Sequence, residues 1–279
     1  DAVVKDFSPQ QRHNLSVSGG NETVQYYLSA GYLDQNGVYK NSAASYKQFN
    51  FRSNIDVQVT KSLKIGFDLS GREETQTSPT SSNREIWWTM IRMYPWHTPY
   101  FSNGLPWSGL NDGWNPVVMG TDAGGLYKSN LNVYNSLFTY RLDIPFIKGL
   151  FLDGFAAYDK THEPEKEYRH PWTVYQKVGD EYEPLRGSRN AGIDVSETRN
   201  ETKSLTLNTK LNYTYKGEIH DISSFIAFEQ NDFSYKGISA YRRDFLTKDD
   251  PQLFAGGSEG KDNNGWAGES ARRNFFGRF

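Results

Sequence analysis

The sequence predicts an all-β protein, part of a membrane-spanning antiparallel β-barrel with long extracellular loops. Three observations predict it. Residues 49–60 alternate strictly: Phe49, Phe51, Ser53, Ile55, Val57 and Val59 share one parity, while Asn50, Arg52, Asn54, Asp56, Gln58 and Thr60 share the other. Successive strand side chains point to opposite faces, so one face is apolar and the other carries charge and amide. Second, the turns between such segments are by turns very short and very long. Third, aromatic residues make up 15% of the chain, with 18 Tyr and 17 Phe, yet there is no apolar run long enough for a membrane helix. A mean hydropathy of −0.74 is compatible with a barrel, whose lumen and outer loops are polar.

Taken in order, residues 24–32 place Val24, Tyr26, Leu28, Ala30 and Tyr32 on one face. The 49–60 strand ends at a two-residue break, Lys61-Ser62, after which Leu63, Ile65, Phe67 and Leu69 alternate with Lys64, Gly66, Asp68 and Ser70. Segments 131–144 and 150–159 alternate less cleanly across the tight Pro145–Gly149 connection. Residues 205–215 set Leu205, Leu207, Leu211, Tyr213 and Tyr215 against Thr206, Asn208, Lys210, Asn212 and Thr214. Residues 222–230 are looser, with Ile222, Ile226 and Phe228 opposite Phe225, Ala227 and Glu229. The count is roughly nine or ten strands. Tyrosines near strand ends (Tyr26, Tyr32, Tyr213, Tyr215) fit interfacial girdles.

Both ends read as cut from a longer chain. Asp1-Ala-Val-Val4 carries no secretion signal, and Arg273–Phe279 reads as the opening of another strand. Lipid tolerates no unpaired strand edge, so residues 1–279 are expected to be an internal piece of a larger barrel.

Three excursions interrupt the strands. In the first, 73–129, Ile86, Met90, Met93 and Tyr94 share a face of a short amphipathic helix that Pro95 would end. Trp96, Trp107, Asn111, Asp112 and Trp114 follow, and Trp172 stands in the second excursion, 160–203. Exposed rings beside amides and carboxylates suit stacking on sugar faces, and the same rings would equally serve to pack a loop or anchor a partner. Pro171–Val178 and Glu181–Leu185 read as a β-hairpin turning at Gly179-Asp180, flanked by a charged strand extension at 162–170. The third, Lys248–Gly268, reads as a solvated loop whose Asp249, Asp250, Asp262 and Asn263 do not match a calcium-loop spacing.

Enzyme motifs fail on inspection. Asp68-Leu-Ser-Gly71 has one residue too many for an aspartic-protease signature, Gly256–Lys261 lacks P-loop spacing, and no histidines sit in a zincin arrangement. Glu73 and Glu74 are adjacent on a strand and point apart. The absence of cysteine excludes disulfide scaffolds and thiolate sites, and a net charge of −2 leaves no nucleic-acid-binding patch. No enzyme, metal or cofactor is expected.

The runs His13–Asn21, Tyr26–Gly37, Phe51–Asp56 and Leu63–Gly71 closely resemble the first barrel strands of SusC/RagA-type TonB-dependent transporters. The resemblance spans about positions 11 to 72 and returns at Leu205–Lys216 and Arg273–Phe279. It implies that the chain follows directly on a plug domain, within a barrel of about 22 strands. The signal, TonB-contacting segment, plug and remaining strands would lie outside it. It further implies TonB-driven import of oligosaccharides, or peptides, across a Gram-negative outer membrane, with a SusD-like surface lipoprotein as lid. Arg52, Asn54, Asp56, Gln58, Lys64, Asp68 and Arg72 would face the lumen and the plug. A passive porin and a secreted carbohydrate-binding β-sandwich are the alternatives.

Overall fold

The computed structural model describes residues 2–94, 96–109, 113–187 and 192–279. In chain order the strands are β1 (Gln10–Gly20), β2 (Val24–Asn36), β3 (Ser45–Thr60), β4 (Leu63–Pro79), β5 (Gly125–Asp143), β6 (Leu150–Arg169), β7 (Trp172–Val178), β8 (Glu181–Gly187), β9 (Asp194–Lys216), β10 (Asp221–Arg243) and β11 (Asp262–Arg278). Nine form one antiparallel sheet in the order β1-β2-β3-β4-β5-β6-β9-β10-β11, while β7 and β8 make a separate hairpin. The sheet is thus an up-and-down meander with one hairpin inserted into the β6–β9 connection.

One end of the meander is closed by tight turns. Asn21 Oδ1 accepts from the Thr23 and Val24 amides, each at 2.8 Å, and Thr60 Oγ1 accepts from Ser62 and Leu63 at 3.2 and 3.1 Å. Such side-chain acceptors stand in for missing ladder partners. Gly149 takes φ +86°, and a Cβ there would overlap the Thr214 carbonyl oxygen, so the β5–β6 turn requires glycine.

Register carries the two-faced pattern across every strand. Val24, Val57, Ile65, Tyr140, Gly154, Thr209, Phe228 and Phe275 follow one another in a single cross-strand row on one face. Another row on that face runs Leu15, Ala30, Phe51, Gly71, Tyr134, then Lys160, Lys203 and Ser234. The apolar band therefore crosses the hydrogen-bond rows obliquely, as strands tilted in a barrel wall require. Its members are exposed: Leu15 is 76% and Ile226 58% accessible. The wall's apolar face is left accessible, with no protein core packed on it among the described residues.

A protein core does exist, but in the loops. Tyr39, Ile86, Val117, Val118, Met119, Trp172 and Val174 are buried together, with Met90, Trp114 and Leu185 packed against them.

The structure sharpens several expectations. The helix forms as α1 (Asn83–Arg92), and the hairpin turns at Gly179-Asp180, with Gly179 at φ +63°. Pro95 lies outside the described residues. Strands run further than their alternation shows: β4 reaches Pro79, and β6 and β9 carry the charged flanks, narrowing the excursions to residues 80–124 and 170–193. The third excursion is corrected. Asp262–Gly268 belong to β11, pairing with Tyr235–Tyr241, and Arg273–Arg278 continue that strand instead of opening another. Both errors share a cause. Above the lipid band neither face needs apolar side chains, so ladder bonding persists where alternation has vanished.

Candidate functional site

The loop assembly is built from local signals. Ser82 caps α1: its Oγ accepts from the Glu85 amide at 3.3 Å, and its own amide donates to Glu85 Oε2 at 2.9 Å, a complete capping box. The helix buries Ile86 and Thr89. A second short helix, α2 (Pro116–Met119), is capped by Asn115 and starts on proline. Asn115 is fully buried and bonds in three directions. Its Oδ1 accepts from Val117 at 3.0 Å, and its Nδ2 donates to the carbonyls of Pro99 at 2.7 Å and Trp107 at 2.9 Å. One amide thus ties the aromatic segment to the helix pair. Tyr39 donates to Asn83 Oδ1 at 3.3 Å from within this core, and burial pushes its hydroxyl pKa above the ordinary value.

The hairpin docks on the same core. Val174 is fully buried, Tyr175 donates to the Pro106 carbonyl at 2.9 Å, and Ser108 donates to Tyr175 at 2.7 Å. Phe101 and Tyr182 rings meet edge-on, 4.8 Å apart.

The candidate tryptophans divide. Trp172 is only 8% exposed and donates from Nε1 to the Gly113 carbonyl at 3.0 Å, so it orders the assembly and presents no ring to solvent. Trp114 is half-buried against the same core. Trp96 is 73% exposed and stacks on Tyr94, rings parallel within 3° and 4.7 Å apart. His97 sits edge-on to both and 4.6 Å from Trp107. Tyr94 therefore falls beyond the end of α1 and joins an exposed aromatic platform with Trp96; Trp87 and Trp88 on α1 are also exposed. Asn111 and Asp112 lie outside the described residues. Asn115 was missed in the sequence, although Asn-Pro before an apolar run is a helix-start signature.

Arg52, Asn54, Asp56, Gln58, Lys64, Asp68 and Arg72 share the polar face of β3 and β4, where Asn54 opposes Asp68 and Gln58 opposes Lys64. Lys64 Nζ lies 3.5 Å from Asp56, and Arg72 pairs along its own strand with Glu74 at 2.6 Å. Arg52 faces Ser70 in register. The same face continues the theme at Asp153–Lys210 (3.5 Å), with Asn212 donating to Asp153, and at Arg141, which lies 4.0 Å over the Phe151 ring. This polar face is a chain of paired charges and amides.

No family model matches the chain. In sequence it is similar to the TonB-dependent receptor P3 of Formosa agariphila, 26% identical over 245 residues, which are 84% of this chain and 23% of that protein. It is also similar to the TonB-dependent receptor P26 of that organism, 37% identical over 63 residues, 23% of this chain and 6% of that one. In fold it matches the RagAB peptide importer in its closed-closed state with a TM-score of 0.78 at 20% identity, covering 99% of this chain and 30% of that one. The RagAB peptide transporter matches at 0.76 and 22% identity over the same shares. The chain spans less than a third of the length of each. The resemblance to TonB-dependent transporters is borne out, and the fold is that of a section of their barrel.

Proposed function

We propose that this chain is a wall section of a TonB-dependent importer in a Gram-negative outer membrane. The observation that carries this reading is the sheet itself, apolar and accessible on one face, charged and amide-rich on the other, in a chain similar to TonB-dependent receptors. Residues 1–279 form the first part of the barrel after the plug, and TonB acts through segments beyond them. The polar face, with Arg52, Asn54, Asp56, Gln58, Lys64, Asp68 and Arg72, lines the lumen and holds the plug.

The cargo is an oligosaccharide, met by the Tyr94–Trp96 platform and covered by a SusD-like lipoprotein. Flat exposed rings stack on the apolar faces of sugars. Peptide import is the second reading, favoured by the structural likeness to the RagAB peptide importer.

The test is uptake by cells carrying the complete transporter, with Trp96→Ala and Tyr94→Ala introduced together. Oligosaccharide uptake should fall about fivefold, one ring stack being of order a kcal/mol. A selective loss of peptide uptake would install the second reading. Uptake that survives collapse of the proton gradient would reduce the protein to a passive porin.

A further inference from the structure

Toward the long-loop end of β10 and β11 the polar face carries rings beside its amides and charges. A register row running from Asp56 through Thr139 and Asn208 to Glu229 and Asn274 marks that face. Tyr235 and Trp266 lie an even number of residues along the same two strands, so they share it. Tyr235 stands opposite Gly268, and Trp266 opposite Gly237. A Cβ on Gly268 would come within 2.6 Å of the Tyr235 ring, and one on Gly237 would overlap the Trp266 ring. Each ring therefore lies across the bare backbone of the neighbouring strand. The arrangement is reciprocal and sets the two rings as diagonal neighbours. Phe233 extends the patch, its ring 6.2 Å from that of Tyr235.

Covering a glycine does not by itself call for a ring on this face. Gly31 and Gly66, also on it, are faced by Asn14 and Asn50 and by Thr139 and Asp56. All three rings remain exposed. Tyr235 is 44% accessible although β10 has β9 and β11 on either flank, so its accessible area fronts the space before the sheet. Around the rings stand uncharged hydrogen-bonding groups. Thr202 of β9 opposes Tyr235, Asn200 opposes Gly237, and Ser239 and Ser270 flank the patch along β10 and β11. These four side chains, the Tyr235 hydroxyl and Trp266 Nε1 have no hydrogen-bond partner among the described residues. Glu201, Lys203, Lys236 and Glu269, at the same height, take the opposite parity. On the rings' own face charge returns beyond the polar rim, at Glu163 past Asn200 and at Arg272 past Ser270.

We propose that Phe233, Tyr235 and Trp266 form a second stacking site for a neutral sugar, on the inner wall and distinct from Tyr94 and Trp96. A sugar ring has an apolar C–H face and a rim of hydroxyls. The aromatic rings meet the first, and Asn200, Thr202, Ser239 and Ser270 meet the second. The opposite face of β10 is polar at this height, with Asp232, Ser234 and Lys236, so the site lies on the long-loop side of the apolar band. Cargo entering from the loops reaches it before the narrower reaches of the wall face. The proposal rests on the importer reading and on an oligosaccharide as its cargo.

The test is hydroxyl-radical footprinting of the complete transporter in detergent. One probe set is an array of neutral hexose and pentose oligosaccharides, and the other is a tryptic peptide mixture. An oligosaccharide of the array should protect Tyr235 and Trp266 from oxidation. Tyr235→Ala should weaken its binding about fivefold, one ring contact, and Tyr235→Phe should restore most of it. Gly268→Ala keeps every ring but lifts Tyr235 from its seat, so it should weaken binding with the barrel's heat-modifiable mobility unchanged. Protection confined to Tyr94 and Trp96 would overturn the inner site and leave the importer reading standing. Protection of Tyr235 and Trp266 by peptides alone, or by neither probe set, would overturn the sugar assignment. Uptake that survives collapse of the proton gradient would instead strike the importer reading, whatever the footprint.

Discussion

The nine-stranded wall and the loop assembly obey opposite rules of burial. In the wall, Leu15, Ile226 and Phe275 are exposed, and alternation is the whole organising signal. In the loops, Ile86, Val174 and Trp172 are buried as in a small water-soluble domain, around a polar hub at Asn115. The wall buries its apolar side chains in solvent of another kind, so one-sided patterning suffices. The loops stand in water and must close a core of their own, which they do by bringing together residues more than a hundred positions apart, such as Tyr39 and Val174.

That contrast can be broken at four places. Trp172→Ala should cost the loop assembly about 3–5 kcal/mol, the usual price of truncating a buried aromatic. Rapid protease cleavage within 80–124 or 170–193, with the barrel's heat-modifiable mobility intact, is the expected outcome, and a collapse of the barrel too would show the regions are one cooperative unit. Leu207→Arg should destabilise the wall by about 2–4 kcal/mol in chemical unfolding, while Asn208→Arg, one residue on and on the other face, should cost little. Equal costs would refute the assignment of faces. Asn115→Ala removes the side-chain donor to the Trp107 carbonyl and one of the two donors to the Pro99 carbonyl, and leaves α2 without its cap, so about 1–3 kcal/mol of loop stability should go, measured as faster amide exchange at Val117–Met119. Asp56→Arg, which sets like charges beside half-exposed Lys64, should cost only about 0.2–1 kcal/mol, read as a small shift in the unfolding midpoint.

Legibility in the sequence followed the same divide. Strands β2 to β4 were readable residue by residue, because a wall with lipid on one side and polar lumen on the other writes its register as period-two alternation. The polar set of β3 and β4 was readable with it, though only Asp56–Lys64 became a cross-strand ion pair. Strand extensions above the band were not, since both of their faces are wet. In the loops the helix and hairpin were legible from capping, periodicity and turn chemistry. Which tryptophans would be buried was not: Trp96 and Trp172 look alike in a linear sequence, yet one stacks in the open and the other fills the core.

By itself the sequence determined the class of fold, the face taken by the residues of the clearly alternating strand segments, and the alternation of short and long connections, because each depends on neighbours within about ten positions. Only the tertiary structure decided how far the strands run, that Asn115 is the hub of the loops, and that Lys160, Lys203 and Lys236 converge on Glu201. The lysine cluster rests on register between strands far apart in the sequence and the hub on packing among loops, and no local pattern records which distant groups either will bring together.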